Sequence, residues 1–132
     1  MKPIFKPGDK KLYTVQITKQ DVAAFSGEVV HEVCSTFSLA REIEWSTRLF
    51  ILEMKEETEE GIGTRLEINH RGPAFVGETL SIEATVESIE KNELLCSYRA
   101  RVENRLVAVG FTGQKVLPKS KIKEIFERAA DA

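Results

Sequence analysis

The stretch STFSLAREIEWSTRLFILEMKEE, residues 35–57, decides the fold. Its apolar residues Phe37, Ala40, Ile43, Thr47, Phe50, Ile51 and Met54 recur at spacings of three and four, the helical period. Leu39, Trp45, Leu49 and Leu52 widen that surface almost all the way round. Such a helix must be wrapped, and the flanking sequence supplies a wrapping. Upstream, KLYTVQIT (residues 11–18) alternates, with Tyr13, Val15 and Ile17 on its apolar face, as a half-buried strand does. KQDVAAFSG then allows a helical turn or two that stops at Gly27. Downstream, four strand-like segments follow. GTRLEINHRG sets Leu66, Ile68 and His70 on one face. ETLSIEATVESI points Leu80, Ile82, Ala84 and Val86 inward. LLCSYRARV does the same with Leu94, Cys96, Tyr98, Ala100 and Val102. RLVAVGFTGQKVL is apolar enough at its start for burial on both faces. KNE and EN are turns between them, and GPAFVGE is another. Pro118 ends the last strand. SKIKEIFERAADA reads as a short amphipathic helix through Ile122, Ile125, Phe126 and Ala129, with Ser120 as its N-cap. An antiparallel sheet of about five strands curling around one long helix gives every apolar face a partner, an α+β arrangement.

Composition narrows the function. The chain has 132 residues, 42% apolar and 30% charged, which suits one soluble domain over residues 1–132. A net charge of −2 gives no global field for nucleic acid or an anionic membrane, so neither partner is expected. MKPIFKPGDK has no apolar signal-peptide core, and no run approaches a bilayer span, so a cytoplasmic location is expected. Cys34 and Cys96 are far apart with no CxxC, which reads as reduced, structural thiols. HEVC (residues 31–34) lacks the second histidine of a zinc helix, and no metal is expected. Lys115, Lys119, Lys121 and Lys123 read as a solvated face.

Three residues carry the chemistry, and each has a plainer reading beside the functional one. His70 is the last inward residue before Gly72-Pro73 ends its strand, so it points into the sheet–helix interface near a rim. It is a core histidine with one hydrogen bond, or a general base. Glu44 falls about 20° beyond Ile51 on a helical wheel. There it either pairs with Arg48 across one turn or is held inward as a perturbed carboxylate. Thr36 shares the N-cap with Ser35, or it serves the first-turn N–H groups, which are unpaired and at the positive end of the helix dipole. A carbonyl oxygen docked there would be polarised.

Together these pieces resemble the hot-dog fold, and more closely the fluoroacetyl-CoA thioesterase family of small acyl-CoA hydrolases. The resemblance runs roughly from LYTVQIT to QKVLPK. The family's threonine at the helix start is similar to Thr36 in EVCST. Its helix glutamate before tryptophan is similar to Glu44 in EIEW, and its strand histidine to His70 in GTRLEINH. The gaps, eight residues and then twenty-six, match without insertions. The glycine that the family sets by the acyl group corresponds to Gly63. The two aromatic lid residues of fluoroacetyl-specific members correspond to Gly27 and Val30, which lack that lid, with Phe25 as a partial substitute.

The resemblance implies hydrolysis of an acyl-CoA to carboxylate and CoA, and an inward Glu44 that Arg48 touches from the rim. The carbonyl docks at the helix start, His70 takes a proton from Thr36 or water, and Glu44 steadies the imidazolium. In a variant, Glu44 attacks or activates water itself. No cofactor is implied beyond the CoA of the substrate, and a homodimer joined edge to edge is. Phe37, Phe50 and Trp45 crowd the helix start and suggest a short acyl group. Two alternatives stay open: a hydratase or dehydratase of acyl thioesters, and a non-catalytic acyl-CoA-binding module.

Overall fold

The structure, a computed structural model, describes residues 1–25 and 28–132, with the side chains of residues 23–31 excepted. The elements are β1 (Lys10–Gln16), a 3-10 turn (Lys19–Asp21), β2 (Val22–Phe25), β3 (Glu28–Cys34), α1 (Thr36–Met54), β4 (Glu59–His70), β5 (Thr79–Glu90), β6 (Glu93–Val102), β7 (Arg105–Pro118) and α2 (Lys119–Asp131). Five strands form one antiparallel sheet in the order β1-β5-β6-β7-β4, and α1 packs across it. This is the expected α+β, hot-dog-like arrangement. No helix among the described residues is long and apolar enough to cross a membrane.

The alternation in β5 and β6 is realised in full, because these strands lie inside the sheet beneath α1. Leu80, Ile82, Ala84, Leu94, Cys96 and Ala100 are all buried. On β1, Tyr13 and Val15 are half-buried and Leu12 faces solvent, and Ile17 just after the strand is buried. At the start of β7 the neighbours Val107 and Ala108 are both buried. A register shift opposite Ala100 and Arg101 allows it, since a bulge breaks the two-residue repeat. The Cys34 and Cys96 thiols are free and buried, and burial pushes them up to about 11 and about 12. At neutral pH both are therefore protonated and inert.

Four expectations need correction. First, KQDVAAFSG makes a single 3-10 turn and then a strand that pairs with β3. The buried Asp21 carboxylate accepts from Thr18 N at 2.8 Å and from Arg41 Nη2 at 3.0 Å, which closes the turn, and Val22 leaves it extended. Gly27, the expected stop, lies outside the described residues. Second, α1 ends at Met54, so the acidic run after it is loop and the start of β4. Third, the sheet covers only one face of α1. Phe37 is 83% exposed and Trp45 42% exposed. Fourth, α2 starts directly after Pro118 with no side-chain cap, so Ser120 is not its N-cap. Ile125 and Phe126 on this helix are exposed.

The turn after β4 is clamped by charge. Arg105 donates to both Glu78 carboxylate oxygens, at 2.7 and 2.8 Å, and to Pro73 O at 2.9 Å. Phe75 N also donates to Glu78. The Arg105 guanidinium and this N–H hold the Glu78 carboxyl at about 2, against its ordinary 4.5. The clamp is thus fully present above about pH 4.5 and is lost as pH falls towards about 2. Arg105→Met is expected to lower the melting temperature at pH 7, with the difference shrinking below pH 3. A pH-independent difference in thermal scans would count against the clamp.

Candidate functional site

Ser35 is the N-cap of α1. Its backbone is extended, and its hydroxyl accepts from Ser38 N at 3.0 Å. Thr36 is therefore the first helical residue rather than a shared cap. Its hydroxyl is left free for another partner, and the partner is His70: Thr36 Oγ1 and His70 Nδ1 lie 2.9 Å apart. With the Nδ1 lone pair facing Thr36, the hydroxyl donates to the ring; the other tautomer reverses the bond. Helix geometry leaves the first-turn N–H groups of Thr36 and Phe37 without intrahelical acceptors.

His70 was expected to point inward, and in the chain it is exposed, as is Thr36. The reason is topological. β4 is an edge strand at the margin of the sheet, and the helix does not cover its end. Leu66, on the same expected face, is 39% exposed, and Ile68 is half-buried.

Glu44 lies two turns along α1 from Thr36, about 12 Å at the helical rise. It too was expected inward and is exposed. It stands at a cavity of about 440 Å³ between α1 and the strands, lined also by Gly63, Trp45, Arg65, Thr112 and Gln114. A Cβ on Gly63 would sit 3.7 Å from Glu44 Oε1, so the glycine leaves the space in front of the carboxylate open. The expected Arg48 contact does not form: Arg48 Nη2 donates to Glu60 at 2.8 Å. Among the described residues the Glu44 carboxylate has no hydrogen-bond or ion-pair partner. Tyr13, also on the cavity wall, donates to Glu42 at 2.8 Å; burial and this carboxylate push its phenol up to about 12.

The chain thus joins Thr36 to His70 and Glu44 to Gly63, but it keeps the two pairs apart. Thr36 and His70 do not line the cavity. Of the three aromatic residues expected to crowd the helix start, only Trp45 lines the cavity. Phe37 faces outward, and Phe50 packs edge-on against Phe5 in the far part of the core. The expected lid positions Gly27 and Val30, with Phe25, lie outside the described residues or side chains. Thr112 and Gln114 were missed. Their signal was available, since they are polar residues at inward positions of β7, in step with Val116.

Comparison with known proteins bears on the fold and the family. A Thermus thermophilus hypothetical protein, described as a thioesterase superfamily member, is 32% identical over 99% of this chain and 96% of its own, with a TM-score of 0.89. A hot-dog-like protein from Thermanaerovibrio acidaminovorans is 21% identical over 94% and 93%, with a TM-score of 0.84. The fluoroacetyl-CoA thioesterase FlK is 16% identical over 94% and 96%, with a TM-score of 0.85. Variants of FlK have been solved with fluoroacetate and CoA and with acetyl-CoA. No curated protein matches the chain in sequence. The model of the family described as fluoroacetyl-CoA-specific thioesterase, FlK, matches residues 17–120, a span that holds Thr36, Glu44, Gly63 and His70. With that span matched and the fold in common, this chain belongs to the FlK family of the thioesterase superfamily.

Proposed function

We propose that the protein hydrolyses a small acyl-CoA to the free acid and CoA. The observation that carries this reading is the 2.9 Å contact between Thr36 Oγ1 and His70 Nδ1 at the N-terminus of α1. A thioester carbonyl docked on the first-turn N–H groups has its oxygen polarised while His70 stands ready as base. His70 takes a proton from Thr36 or from a water beside it. The oxygen so activated adds to the carbonyl carbon, the C–S bond breaks, and the thiolate leaves with that proton. If Thr36 is the acceptor, water then releases the acyl group by the same path. Glu44 steadies the imidazolium, and Gly63 leaves room for the acyl group. CoA is part of the substrate, and the reading requires no further cofactor. FlK variants bound to CoA and acetyl-CoA support an acyl-CoA as ligand.

The working unit in this reading is a homodimer, and a reducing, cytoplasmic setting suits its protonated thiols. β4 is a twelve-residue edge strand with one row of main-chain groups unpaired, and Leu66 and Phe37 are exposed near it. Long unpaired edges invite pairing, and a two-fold dimer is the simplest closed solution. An antiparallel pairing of β4 with its copy runs the Gly63 end of one strand alongside the His70 end of the other. Glu44 of the partner subunit then approaches Thr36 and His70, which uses the separation of the two pairs within one chain.

The test is release of CoA thiol across a panel from acetyl- to decanoyl-CoA, with malonyl- and fluoroacetyl-CoA included. Release by the wild-type protein is the expected result. Binding without release on every chain would sink the hydrolase reading and leave the acyl-CoA-binding module. A changed acyl chain with the thioester intact would indicate a hydratase.

A further inference from the structure

Glu44 stands between two arginines on its own helix. Arg41 is three residues before it and Arg48 four after, the spacings that bring helical side chains together. Glu before Arg at four is the favourable order. Neither arginine pairs with it. Arg41 Nη2 lies 3.0 Å from Asp21 Oδ1, and Arg48 Nη2 lies 2.8 Å from Glu60 Oε1. Each competing carboxylate is itself held. Asp21 accepts from Thr18 N at 2.8 Å. Glu60 Oε1 also accepts from Gly61 N at 3.0 Å, and Glu60 Oε2 lies 3.9 Å from Lys55 Nζ. A carboxylate whose rotamer is already fixed loses less freedom on pairing than the unheld Glu44, so it takes the arginine.

The bare backbone of β4 shapes the seat for Arg48. A Cβ on Gly61 would stand 2.7 Å from Ile51 Cγ2 and 3.4 Å from Arg48 Nη1, so the glycine lets this part of α1 come close to the strand. Two residues on, Gly63 faces Glu44 Oε1 in the same way. The guanidinium is thus seated at Gly61 and the carboxylate at Gly63, strand positions about 7 Å apart. Were Arg48 to swing onto Glu44, its positive charge would offset the negative field that favours an imidazolium, and it would occupy the carboxylate oxygens.

We infer that Glu60 is a positioning residue for the reaction: it holds Arg48 away from Glu44 and leaves that carboxylate without a counter-charge. The effect on rate rests on the hydrolase reading, and the placement of Arg48 rests on the side-chain geometry alone. Arg48 is the cation that loss of Glu60 sets free within reach of Glu44. Lys55, the other partner of Glu60, lies eleven residues further along α1, about 16 Å at the helical rise.

The experiment compares wild-type, Glu60→Val, Arg48→Met and doubly substituted proteins in thiol release, on the acyl-CoA that the wild-type protein cleaves best. Valine suits a half-buried strand position, and rates are read well below each melting temperature. In Glu60→Val, kcat should fall by about 3- to 10-fold with KM little changed. Adding Arg48→Met should bring kcat back to within about twofold of Arg48→Met alone, because no guanidinium remains to reach Glu44. A purely structural role for Glu60 would leave the double variant as slow as the single one. Glu60→Gln keeps the size and the bond from Gly61 N, and should show a smaller loss in the same direction, which serves if Glu60→Val fails to fold. No loss in either variant, or a loss that Arg48→Met does not relieve, overturns the inference and leaves the hydrolase reading standing. If the wild-type protein releases no thiol, crystal structures of it and of Glu60→Val decide. Arg48 on Glu60 in the first and on Glu44 in the second upholds the hold on Arg48 in a binding protein, and Arg48 anywhere else in either overturns it.

Discussion

His70→Ala is expected to lower kcat/KM for thioester hydrolysis by about 10²- to 10⁴-fold, the range a positioned general base supplies. The loss should appear with little change in melting temperature, because His70 is exposed and its one side-chain bond is to the equally exposed Thr36. Glu44→Gln keeps shape and removes charge, and it should cost about 10²-fold if the carboxylate steadies the imidazolium. The two variants also test the assembly. Within one chain Glu44 sits about 12 Å along α1 from Thr36, too far to serve the same His70 directly. If the site is completed by Glu44 of the partner subunit, mixing the two inactive variants restores it. Half of the dimers are then mixed and carry one intact site, so about a quarter of wild-type activity should return. No recovery after confirmed subunit exchange would mean that each site draws all three residues from one chain. An undiminished His70→Ala rate would remove His70 from the chemistry altogether.

Gly110→Ala is expected to have the largest effect on stability. Gly110 lies in β7 between β6 and β4, paired with Tyr98 on one side and Ile68 on the other. An added Cβ would overlap the Glu67 carbonyl oxygen and lie 2.9 Å from Tyr98 Oη. Tyr98 in turn donates to that same carbonyl at 2.9 Å, across the space a side chain would fill. Backbone on one side and a buried phenol on the other cannot both move aside cheaply. Overpacking of this kind costs about 3 kcal/mol, or roughly 10 °C in melting temperature for a domain of this size. β4 carries both Gly63 and His70, so activity should fall with stability as the strand is pushed outward. A variant that melts with the wild-type protein would mean that β4 and β7 do not approach this closely.

Period and punctuation in the sequence were enough for the framework. The long helix, the four strands after it and the inward faces of β5 and β6 were legible because each is decided locally and then buried beneath α1. The family was legible from the type and spacing of Thr36, Glu44 and His70, which the linear sequence carries whether or not the residues are buried. The first turn after β1 was misread because Val22-Ala23-Ala24-Phe25 suits a helix or a strand equally, and pairing with β3 decided for the strand. β4 departs from its alternation because burial depends on what lies opposite, and its position at the sheet margin is set by strand order, which no local pattern encodes. That same topology leaves His70 and Leu66 open, keeps Glu44 apart from His70 within the chain, and gives Arg48 to Glu60. The buried bond from Gln114 to Thr47 likewise exists only in three dimensions, because it joins a helix to a strand more than sixty residues away.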